Sequence, residues 1–95
     1  MVVLQIEHAV ISFDDWKQAF DSDPAGRQKS GVQRYRVLRH LENPNHVVIE
    51  LEFASRQQAE TLLTNLRNNV WPRMQGSITD GPHARIVELV ETVEY

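Results

Sequence analysis

Residues 33–69 restrict the fold of this chain more than any other stretch. Two runs in which apolar and polar side chains alternate are joined by a tight Asn43-Pro44-Asn45 turn, and an amphipathic helical pattern follows at once. A period of two places alternate side chains on opposite faces of a strand, whereas a period near 3.6 gathers them on one stripe of a helix. In the second run Val47, Ile49, Leu51 and Phe53 share one face, and Val48, Glu50 and Glu52 share the other. Ser55, with Gln58 three residues later, forms a capping box, and Ala59, Leu62, Leu63, Leu66 and Val70 make the apolar stripe behind it.

A similar unit comes first. Val2, Leu4, Ile6 and Val10 share a strand face with His8, and Ser12 followed by Asp15 starts a helix at Phe13 whose stripe is Phe13, Trp16 and Phe20. Ile11 and Trp16 stand where a hydrophobic staple would place them. Asp23-Pro24 and Gly31 predict a short helical turn over 24–30. Residues 71–83, with two glycines and two prolines, read as a long connection, and a last strand is expected from about Ala84 to Tyr95. The order strand, helix, strand, strand, helix, strand defines one α+β domain over residues 1–95. It is the ferredoxin-like arrangement, a four-stranded antiparallel sheet with helices on one face.

Composition narrows the function classes. Ten Lys plus Arg against 13 Asp plus Glu give a net charge of -3, which provides no long-range attraction for nucleic acid, and Glu50 and Glu52 would repel phosphates from the sheet face. There is no cysteine, which excludes disulfides and thiol catalysis. No basic leader precedes the first strand and no apolar run spans a bilayer, so a cytoplasmic location is expected. The four histidines, at 8, 40, 46 and 83, lack short metal-ligand spacing, and His46 is expected to be solvated in its turn, so no metal is expected. Glycine-rich phosphate loops and nucleophile elbows are also missing.

His8 is the sharpest candidate for chemistry. It interrupts an apolar strand face with a side chain that can act as base or acid near neutral pH; the alternative is a core histidine satisfied by a backbone carbonyl. Trp16, Phe20 and Trp71 could wall a site for a flat apolar ligand, or could simply be core. Tyr35 with Arg36 or Arg39 could steady an anion, and Arg27 near the start of the 24–30 turn offers a weaker anion site. The outer sheet face, polar with scattered apolar residues that include Val48, Ile86 and Val90, is either solvated or covered by a second copy. In the covered case Arg34 or Arg36 is available to pair its glutamates.

The stretch from Phe13 to Arg39, the Val47–Phe53 strand with its Ser55 cap, and the closing ARIVELVETVEY segment resemble small proteins of the dimeric α/β-barrel superfamily, which includes antibiotic-biosynthesis-monooxygenase-like proteins, muconolactone isomerases and haem-degrading monooxygenases. The resemblance implies a homodimer of facing sheets and a small cleft in each subunit between sheet and helices, the cleft to which His8, Trp16, Phe20, Tyr35, Trp71 and His83 would contribute. The haem-degrading members use an Asn on the first strand, a Trp within the second helix and a His beyond it. Here those segments offer Glu7 or His8 and no Trp between Ser55 and Asn69, so no haem or other cofactor is expected, although His83 lies beyond the helix. Two functions follow from the resemblance: a pocket for a small apolar or aromatic ligand, or a cofactor-independent monooxygenase or isomerase acting on a small phenolic or enolisable compound.

Overall fold

The computed structural model describes all residues, Met1–Tyr95. Its elements are β1 (Val2–Val10), α1 (Phe13–Asp21), β2 (Arg34–Arg39), β3 (His46–Phe53), α2 (Arg56–Asn65) and β4 (Ile78–Glu88). The strands form one antiparallel sheet in the order β2-β3-β1-β4. This is the ferredoxin-like α+β architecture that the alternation of periods predicts, and none of its helices is long and apolar enough to cross a membrane.

Both helices start where their caps place them. The Ser12 hydroxyl accepts from the Asp15 amide and the Ser55 hydroxyl from the Gln58 amide, each satisfying one of the amides that a helix start leaves unpaired. Asn45, in the turn between β2 and β3, accepts from the Phe13 amide at 3.2 Å and so ties that turn to α1. Ile11 is 64% exposed and contributes no staple against Trp16.

Leu4, Ile6 and Val10 of β1 and the four inward apolar residues of β3, Val47, Ile49, Leu51 and Phe53, meet Trp16 and the α2 stripe in one core. Phe53, Leu4, Leu62 and Val47 are completely enclosed, and each such side chain contributes on the order of 1.5–3 kcal/mol by leaving water. On the other face Arg34 pairs with Glu52 at 2.9 Å and Arg36 pairs with Glu50, so the glutamates that distinguish this face are neutralised from the neighbouring strand.

Four local expectations are corrected. Residues 24–30 form successive turns instead of a helix, because Asp23 sits in the left-handed region at φ 57° and turns its carboxylate onto the Arg27 amide at 2.9 Å. The long connection over 71–83 shrinks to three residues. α2 runs into a widened π turn (Leu66–Val70) and a 3-10 turn (Trp71–Met74), and β4 begins at Ile78. Gly81 and Pro82 disguise this strand, yet β4 lies at the sheet edge, where a bulge opposite His8 accommodates them. The strand also ends early: residues 89–95 carry no regular structure, and Ile86, opposite Leu4, faces the helices and not the outer face.

Candidate functional site

Between the sheet and the helices lies an apolar cavity of about 60 Å³. Its floor is β1 and β3, through Ile6, His8 and Ile49; its walls are Trp16 of α1 and Leu62 of α2. The rim is the π and 3-10 segment, which brings Val70, Trp71 and Met74 over the opening. A π turn displaces the residues that follow it relative to a continuous α-helix, and such turns recur beside functional sites. The helix stripe in the sequence identifies Leu66 and Val70 as apolar but gives no sign of the widened turn, and Met74 carries no periodic signal at all.

His8 is 2% exposed, and its Nδ1 has no hydrogen-bond partner. A buried ring nitrogen left without a partner costs the protein stability. Burial lowers its pKa to about 4 from the ordinary 6.5, so the imidazole is neutral at pH 7. The bulge shapes the backbone beside it: Gly81 has φ +92°, and a Cβ there would stand 3.0 Å from the Glu7 carbonyl and 3.2 Å from the His8 Cβ.

The aromatic residues form a column. The Trp16 ring meets His8 edge-on at 5.5 Å and stacks on Phe20 at 5.1 Å, and Phe20 meets Tyr35 edge-on at 5.3 Å. Arg27 caps the column, its guanidinium carbon 3.9 Å from the Phe20 ring centre and 4.8 Å from that of Tyr35. It donates to the Phe20 carbonyl at 2.7 Å and lies 3.4 Å from Asp23, which offsets part of its charge. Arg27 thus takes the place that Arg36 and Arg39 were expected to hold. Strand alternation sends Arg36 to the outer face and Glu50, while Arg39 covers Phe13 at 4.5 Å.

His8, Trp16, Phe20 and Trp71 therefore gather around one cavity, and Tyr35 joins it only through Phe20 and Arg27. His83 does not belong there. Its register opposite Glu7 puts it on the outer face, where its side chain is 75% exposed and 3.7 Å from Asp80. His46 is likewise no solvated turn residue: it opens β3 and its Nε2 lies 2.5 Å from Glu7.

No protein-family model and no curated protein matches the chain. Solved structures do. SnoaB, described as a cofactor-independent oxygenase from Streptomyces nogalater, superposes with a TM-score of 0.74 at 14% identity, over 99% of this chain and 97% of that one. A Deinococcus radiodurans protein named as a candidate antibiotic biosynthesis monooxygenase gives 0.71 at 19% identity, over 100% and 98%. A dimeric ferredoxin-like protein from an uncultured marine organism gives 0.66 at 8% identity, over 99% and 100%. With the element order, the sheet topology and these superpositions in agreement, the chain has the ferredoxin-like fold of the antibiotic biosynthesis monooxygenase proteins.

Proposed function

We propose that the cleft binds a small apolar or aromatic molecule against His8. The observation that carries this reading is the combination of an apolar cavity with one buried, unpartnered imidazole nitrogen in its lining. Known ligand pockets follow the same plan, a mostly apolar wall with a few convergent polar groups. At about 60 Å³ the cavity holds only a few water-sized molecules, so a single-ring ligand enters as the half-buried Trp71 and Met74 turn outward. Trp16 and Trp71 are the only tryptophans, so selectively excited tryptophan fluorescence reports on this cleft. Titration with a panel of phenols and quinols should quench it saturably, and Ala25→Phe, which fills the cavity, should abolish the effect. Absence of quenching across the panel, or equal quenching in the filled variant, would reject the reading.

Catalysis is the second reading, supported by the likeness to a protein described as a cofactor-independent oxygenase. A neutral imidazole can take a proton from an acidic ring methylene flanked by a phenol or carbonyl. The carbanion so formed supplies the electrons that reduce dioxygen: one oxygen atom stays on carbon as a new carbonyl and the other leaves as water. Arg27 at the end of the aromatic column would steady the anion. Oxygen uptake with such compounds, lost in His8→Ala, is the expected result; uptake that persists in that variant would leave His8 a binding residue only.

We further propose a homodimer formed through the outer sheet face. Leu38 at 44% and Val87 at 36% exposure lie there beside the Arg34–Glu52 and Arg36–Glu50 pairs. A solved protein of this fold is described as dimeric. Arg–carboxylate pairs can serve a self-complementary interface by fixing its register.

A further inference from the structure

On the side of the sheet opposite the cleft, three potential metal donors that lie far apart in sequence come together. β1 and β3 pair with Ala9 opposite His46 and Glu7 opposite Val48, so Glu7 and His46 are diagonal neighbours on the outer face. The His40 amide donates to the His46 carbonyl at 3.1 Å, which brings the residue after β2 alongside the first residue of β3. The two imidazoles then lie with ring centres 4.0 Å apart, inclined by 32°. Glu7 Oε2 is 2.5 Å from His46 Nε2 and 3.9 Å from His40 Nε2, and all the donor atoms fall within 4.8 Å of one another.

We propose that Glu7, His40 and His46 bind a divalent transition-metal ion. Two imidazole nitrogens are borderline donors that suit zinc, nickel or copper, which also accept a carboxylate, whereas calcium and magnesium prefer oxygen alone. A hydrogen bond between Glu7 and His46 needs no third residue. The second imidazole, close beside the first and turned toward the same carboxylate, is what a bare hydrogen bond leaves unexplained, because a shared cation satisfies all three donors together. In the single chain the side chains are 34%, 51% and 22% exposed for Glu7, His40 and His46, and they lie at the opposite end of the outer face from Val87 and the Arg34–Glu52 pair, so an ion can enter from solvent there and would retain water in its remaining positions. The two imidazoles flank the β2–β3 turn and Glu7 comes from the central strand, so bound metal would staple that hairpin to β1. Spacing rules miss such a site because sheet register, and not a local loop, creates it.

Calorimetric titration of the intact protein with zinc should give one ion per chain with micromolar affinity. Cobalt at the same site should give visible d–d absorption that zinc displaces. His40→Ala should weaken zinc binding by roughly tenfold or more, the size of effect expected when a ligand or its support is lost. Because His40 is half exposed and carries no core contact, this variant keeps the fold intact, and Glu7→Gln provides an independent second test. His83→Ala, which removes the neighbouring exposed histidine, should leave binding unchanged. Absence of zinc binding in the parent, undiminished binding in His40→Ala or Glu7→Gln, or loss of binding in His83→Ala would each overturn the proposal.

Discussion

At the scale of single residues, Glu7 and His8 show how much one peptide unit separates. Alternation along β1 sends Glu7 to the outer face, where it meets two histidines, and His8 into the apolar cleft. Burial of His8 has a consequence for stability. Its pKa is lowered in the folded protein and ordinary in the unfolded chain, so below about 6.5 the unfolded chain takes up a proton that the native protein resists. The stabilising contribution is complete above pH 6.5 and is lost as the pH falls toward about 4. Urea midpoints measured across this window should decline with acidity, and the decline should be shallower in His8→Phe, which carries no titrating group at that position. The sequence makes His8 legible as an inward residue through simple alternation. It says nothing of the missing partner at Nδ1, which depends on every neighbour that three other elements bring to the ring.

Among the elements, β4 is the least legible in the sequence. Gly81 and Pro82 carry the composition of a loop, and only pairing with β1 reveals the strand that continues through them. Composition is local while a bulge is defined by its partner, so the sequence cannot announce it. The same geometry predicts the effect of Gly81→Ala. An alanine would have to hold φ +92° with its Cβ against the Glu7 carbonyl, at a cost of about 1–3 kcal/mol. Chemical denaturation should show that loss, whereas Gly76→Ala, with nothing within 4 Å of the new carbon, should leave stability nearly unchanged. Helix starts were far more readable, because a serine cap and its amide three residues on are neighbours in sequence as well as in space.

For the molecule as a whole, alternation and capping suffice to give the element order and the faces of β1 and β3, whereas the pairing of both Arg34 and Arg36 within their own sheet emerges only from the strand register. The cleft's dimensions and the Glu7–His40–His46 cluster are tertiary properties that no single segment contains. Assembly is tested by light scattering. The proposed dimer should register about 22 kDa, twice the 11.0 kDa of one chain, and Val87→Lys, which adds charge at the exposed outer face, should return it to the single-chain mass. A parent protein that scatters as one chain at micromolar concentration would reject this assembly.

The central position of β1 also governs the route to the folded state. Leu4 pairs with Leu51 on one side and with Ile86 on the other, so neither neighbour is supplied by nearby chain. The β2–β3 hairpin is the sheet's one short-range pairing, and it can close at small entropic cost. β1 can acquire both neighbours only after two long loops have closed, a topology that favours slow folding over fast. The strand that carries both the cleft histidine and the outer glutamate is therefore completed by the most distant partners in the chain, and neither cluster can assemble ahead of the fold itself.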